Sequence, residues 1–167
     1  MDVAAVSPQD NTFEPMAALE INATLLKSEW SLCDRVAEYL SSIAGQSHSD
    51  AARYANFVSV TVNELIELAY RTSPDSGAVK FEVHQNDEHV RVDMSFSCVD
   101  TLREAMIHTI RRGVRQKEPH LPVGRVMDDV SRVVELAEIC RVGLSARTEL
   151  SDRIVISAAF RRTEELQ

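Results

Sequence analysis

Between Val79 and Phe96 the side chains change character at every residue. Val79, Phe81 and Val83 alternate with Lys80, Glu82 and His84; after Gln85-Asn86-Asp87-Glu88, Val90, Val92, Met94 and Phe96 alternate with Arg91, Asp93 and Ser95. Successive side chains on a strand point to opposite faces, so this pattern predicts an antiparallel hairpin with one apolar and one charged face. It restricts the fold more than any other feature, because the apolar face must be covered and the charged one left open. Val142 to Thr148 and Arg153 to Arg161 alternate in the same way, predicting a second hairpin turned at Glu149 to Asp152. From Ala17 to Leu26, Leu19, Ile21, Ala23 and Leu25 alternate with Glu20, Asn22 and Thr24, which predicts one more strand, at an edge.

The intervening segments carry helical spacing. Ser28 or Ser31 is a candidate N-cap for a helix whose apolar positions are Trp30, Cys33, Val36, Ala37, Leu40 and Ile43, ended by Gly45. Ser49 or Asp50 opens a longer helix striped by Ala55, Val58, Val62, Leu65 and Ala69, stopped by Ser73-Pro74 and the turn to Gly77. Asp100 or Thr101 caps a helix through about Arg112, and Pro119 to Gly124 separates it from another at Val126 to Cys140. Strands in pairs with helix pairs between them predict an α+β, two-layer α/β sandwich, its mixed, mostly antiparallel sheet covered on one face by helices. Residues 1–16 read as a flexible leader, 17–162 as the domain and 163–167 as a tail.

Composition narrows the function. Eighteen Lys and Arg against 26 Asp and Glu give a net charge of -8, which disfavours nucleic-acid and anionic-membrane partners. No apolar run of about 18 residues is long enough to span a bilayer, and the first residues lack a signal-peptide pattern, so the expected location is the cytoplasm. Cys33, Cys98 and Cys140 are odd in number and far apart, which fits reduced thiols better than disulfides or a zinc site.

The segment VTVNELIELAYR, residues 60–71, resembles the N-box helix of the ATP-binding domain shared by histidine kinases, anti-sigma-factor kinases, gyrase and the related heat-shock chaperone, the Bergerat or GHKL fold. The element order over residues 17–162 is similar too. The resemblance implies that Glu64 matches the general base and Ala69 the N-box alanine. Leu68 stands where the magnesium-binding asparagine belongs, and leucine offers no oxygen to a cation that demands them. Asn63 and Glu67 carry oxygens nearby, but each points about 100° away from its neighbours on the helix. The stretch Asp93 to Asp100, where the family has a DxGxG loop, holds no glycine; Val123 to Asp129, where a glycine-rich loop should cradle phosphates, holds one glycine and two carboxylates. Trp30, Cys33 and Val36-Ala37-Glu38-Tyr39-Leu40 are similar to the WxxC opening of a group of bacterial anti-sigma-factor-like proteins of this fold.

The expectation is therefore a bacterial regulatory protein of degenerate GHKL fold that needs no cofactor and binds a protein: a sigma factor, a STAS-domain antagonist or a response regulator. The competing expectation is a divergent Ser/Thr kinase with Glu64 as base and ATP-magnesium held through Asn63 or Glu67. Arg111, Arg112, Arg115 and Lys117 form the one basic cluster, either a helix end matched to its dipole or a docking site for an acidic partner. His108 reads as a surface histidine, and Cys33 beside Trp30 as core packing. His84 and His89 flank the hairpin turn and are candidates for a cross-strand pair within metal distance, two ligands without a third, or for a pH-sensitive polar sheet face. The polar sheet face, with Glu82, Arg91, Asp93, Ser145, Arg147 and Ser157, has no helix left to cover it and is a candidate interface for a partner or for a second copy in a homodimer.

Overall fold

The structure, a computed structural model, describes residues 12–46, 48–113, 125–150 and 152–162, without the side chains of Arg125 and Val126. Its elements run β1 (Glu14–Asn22), α1 (Ala23–Ser28), α2 (Trp30–Gly45), α3 (Ala51–Thr72), β2 (Ala78–Gln85), β3 (His89–Ser97), α4 (Asp100–Arg112), α5 (Arg125–Ile139), β4 (Gly143–Glu149) and β5 (Arg153–Arg161). The architecture is α+β, a helical layer on a five-stranded sheet of order β1-β2-β3-β5-β4. The sheet expected to be mixed is antiparallel at every pairing.

Register fixes the two faces. Leu19, Phe81, Met94, Ile156 and Ala146 form one row across all five strands, and Ala17, Val83, Val92, Ala158 and Leu144 form another. Both rows pack into the helical layer, where Phe81, Met94, Phe96, Ile154 and Phe160 are almost wholly buried with Leu40, Tyr54, Leu65 and Met106. The intervening rows lie on the opposite face. A slip of one residue in any pairing would exchange the faces, so burial of the apolar rows specifies the register.

Two boundaries depart from the sequence reading. β1 begins at Glu14, inside the stretch expected to be a leader, whose residues 1–11 lie outside the described ones. It also ends at Asn22 rather than Leu26. The Asn22 side chain accepts a hydrogen bond from the Thr24 amide, capping the short helix α1, and the Ala23 amide donates to the Gly77 carbonyl at 2.9 Å. Leu26 is thereby buried from a helix and not from a strand.

Caps agree in part. Asp50 caps α3 by accepting from the Arg53 amide. Neither Ser28 nor Ser31 caps α2: Ser28 donates to the Leu25 carbonyl, Ser31 donates to the Glu29 carboxylate, and Glu29 occupies the cap position without a side-chain bond. Val99, not Asp100 or Thr101, precedes α4, and Asp100 is the first helical residue. Gly45 ends α2 where α3 comes closest; a Cβ there would lie 2.8 Å from the Ala51 carbonyl oxygen, so only glycine permits this approach.

Candidate functional site

The N-box-like segment lies in the C-terminal half of α3. Val62, Leu65, Ile66, Leu68 and Ala69 face the core while Val60 is exposed, and Leu68 is 1% exposed. The position compared above with the cation ligand of the GHKL ATPases is thus part of the hydrophobic interior. Glu64 is half-buried. Asn63 is exposed and lines a shallow groove between α2 and α3 with Asp34, Glu38 and Asn56. Glu67 turns to Arg71, whose guanidinium also grips both oxygens of Asp129 on α5 at 2.9 Å. The hydrogen bond to Asp129 raises the Arg71 pKa above its usual range, with Glu67 and Glu64 adding charge attraction. Both oxygen-bearing candidates for a magnesium site thus have other surroundings: a groove lined by α2 for Asn63, a salt bridge for Glu67.

Asp93 and Ser95, at the start of the stretch compared with the DxGxG loop, sit within β3 on the face turned away from the helices. The loop compared with the phosphate cradle lies outside the described residues up to Gly124; beyond it, Asp128 is exposed in the first turn of α5.

The basic cluster divides. Arg111 is exposed and Arg112 half-buried in the last turn of α4, which ends at Gly113, whereas Arg115 and Lys117 lie outside the described residues. His108 is exposed on α4, as expected. Cys33 is core, at 4% exposure, but Trp30 is not: its ring is 48% exposed and stands edge-on to Tyr70, centroids 4.9 Å apart. Being the first residue of α2, it has too few neighbours to bury it.

The sheet face that no described helix covers holds a polar assembly. Glu82 on β2 and Asp93 on β3 are directly opposed, and the row continues through Ala18, Ser157 and Ser145. His84 belongs to the adjacent row, opposite Arg91. Its Nε2 lies 3.1 Å from Glu82 Oε2 and 3.7 Å from Asp93 Oδ2. Arg91 Nε is 3.1 Å and 3.0 Å from the two Asp93 oxygens but donates only to Oδ2, so the buried Oδ1 accepts no hydrogen bond. The Phe13 ring lies 4.3 Å from the Arg91 guanidinium carbon. The expected partner of His84, His89, is instead paired with Arg161 on β5, because Asn86 closes the hairpin tightly by accepting from the amides of Glu88 and His89.

Beside this group is a cavity of about 150 Å³ lined by Lys80, Ser95, Arg147, Glu149, Arg153 and Val155 together with Glu82 and Asp93. Ser95 Oγ is its hub, accepting from Arg153 Nε at 3.0 Å and donating to Glu149 at 3.1 Å, while Arg153 also reaches the carbonyls of Ala78 and Ser95. Sequence inspection named Glu82 and Asp93 together on the polar sheet face and His84 apart from them, in a pair with His89. Strand alternation put all three on one face; nothing in the linear chain said which would touch.

No protein-family model matches the chain, and no curated protein matches it. Among the described residues, no helix is long and apolar enough to cross a membrane.

Proposed function

We propose that this chain is a protein-binding regulatory module of degenerate GHKL type, and not a nucleotide-hydrolysing enzyme. The observation that carries the reading is Leu68: in an N-box-like helix, the side chain at the cation-ligand position is 1% exposed and packed into the core. Replacing an oxygen ligand by a buried hydrocarbon removes the magnesium contact and adds a packing contact, so the position serves stability in place of chemistry. The Arg71 clamp on Glu67 and Asp129 supports the same reading, since it ties α3 to α5 through Glu67, one of the two oxygen donors that the kinase alternative needs. The partner classes implied by the resemblance are a sigma factor, a STAS-domain antagonist or a response regulator. Arg111 and Arg112, with Arg115 and Lys117 next in sequence, supply the positive charge on which an acidic surface would dock, against an overall charge of -8.

Calorimetric titration with ATP, with and without Mg²⁺, tests the proposal. The expected result is no magnesium-dependent binding up to millimolar nucleotide. Magnesium-dependent binding, with phosphoryl transfer abolished in Glu64→Gln, would overturn it in favour of the divergent kinase. For the partner, joint reversal of Arg111, Arg112 and Arg115 to Glu should weaken an isolated complex at least tenfold while leaving the circular dichroism spectrum unchanged.

A further inference from the structure

We propose that Glu82, His84 and Asp93 form a binding site for a divalent transition-metal ion of the zinc class, on the open face of the sheet. One donor atom from each side chain, an imidazole nitrogen and two carboxylate oxygens, lies within 4.8 Å of the other two. Donors bound tetrahedrally about 2.0–2.2 Å from a common ion stand roughly 3.3–3.6 Å apart. The His84–Glu82 separation of 3.1 Å and the His84–Asp93 separation of 3.7 Å bracket that range, each a small side-chain adjustment away from it.

Three further observations point to a cation. First, Glu82 and Asp93 are directly opposed on one face of an antiparallel pair, an arrangement that is unfavourable for like charges unless positive charge lies between them. Second, the Asp93 side chain is only 9% exposed, and its Oδ1 accepts no hydrogen bond. Although Arg91 Nε lies 3.0 Å away, that oxygen keeps lone pairs that no hydrogen bond uses and that a metal ion can take up. Third, the nearby positive groups leave the pair incompletely neutralised. Arg91 lies along Asp93 alone, the Lys80 ammonium is 3.9 Å from Glu20, and Arg153 is taken up by Ser95 and two backbone carbonyls. Arg147 lines the adjoining cavity from β4, beyond Ser157 and Val155 in the register.

The donor set selects the ion. Imidazole favours zinc, nickel, copper or iron over magnesium and calcium, which take oxygen ligands. The ligands sit on two paired strands, a rigid base, and their row is flanked by Ala18, Ser157 and Ser145. These small side chains leave room above the sheet for water, or for a donor from a docked protein, to complete the coordination. Arg91, held against Phe13, orients the Asp93 carboxylate as outer-shell partners do in metal sites. The inference stands on this face alone and is independent of the reading of α3.

Calorimetric titration of the metal-free protein with Zn²⁺ and, separately, Mg²⁺ tests it. The expected result is one Zn²⁺ per chain and no response to Mg²⁺ at the same concentration. His84→Ala and Glu82→Gln should each weaken Zn²⁺ binding at least tenfold, and His108→Ala, on exposed α4, should leave it unchanged. The Glu82 side chain is 53% exposed, so Glu82→Gln keeps the test valid if His84→Ala fails to fold; far-UV circular dichroism checks both. No stoichiometric binding by the parent chain, or equal affinity in both site variants, overturns the proposal.

Discussion

On β2, Phe81 is 1% exposed against the helices, while its neighbours Lys80 and Glu82 keep side chains 52% and 53% exposed on the other face. One strand further in, the contrast changes. Met94 is fully buried, yet Asp93 and Ser95, on the face that no helix of the described residues covers, are each only 7% exposed. The two faces of one sheet are thus closed by different means. The helix face is closed from above by apolar side chains, where shape and area matter and direction does not. The open face is closed sideways, by Arg91, Glu149 and Arg153 holding shorter residues through hydrogen bonds, with His84 3.7 Å from Asp93. Burial of the first kind supplies stability. Burial of the second kind leaves charged groups in fixed positions at the surface, which is what recognition of an ion or a partner requires.

The largest effect that would sharpen this contrast is on the closed face. Leu68→Asn places an amide in the core, and should destabilise the protein by about 3–5 kcal/mol in urea denaturation, from lost apolar burial and an unsatisfied amide. A loss below about 1 kcal/mol would mean that the position opens to water and does not belong to the core. On the open face the corresponding change is smaller. Ser95→Ala removes one acceptor for Arg153 and one donor to Glu149, and should cost about 1 kcal/mol, since solvent can replace part of what is lost. An equal or larger loss than for Leu68→Asn would break the distinction between the faces.

The smallest effect leaves stability untouched and reads burial through the thiols. Burial pushes the Cys98 pKa up to about 11, partly offset by Arg103, and Cys33 is raised by burial and by Asp34. Alkylation needs the thiolate, so at pH 8 the half-buried Cys140 should label first. A raised pKa shifts the onset of Cys98 reactivity upward, so its labelling should climb about tenfold per pH unit toward pH 11. Cys98 labelling as fast as Cys140 in the folded protein at pH 8 would show that the end of β3 is open.

How far the sequence could be read depended on how local the signal was. The β2–β3 hairpin and α3 carry many periods of their pattern, and both appear where expected. At Ala23–Ser28 the alternation of β1 runs on for a few residues into a helix of under two turns, too short to display a helical period, so strand was the natural reading and the wrong one. Trp30 looked like core because its spacing fits the stripe of α2; its place at the helix start decided otherwise.

By itself, then, the sequence determined the two-faced hairpins, the long helices α2 and α3, and that the side chain at residue 68 carries no oxygen, because each is a property of neighbouring residues or of one residue's chemistry. Tertiary structure alone decided that Leu68 is interior, that Glu67 and Asp129 share Arg71, and that His84 meets Glu82 and Asp93 and not His89. The reason is register: contacts between strands and between helices join residues distant along the chain, and their alignment follows from burying all the apolar rows at once.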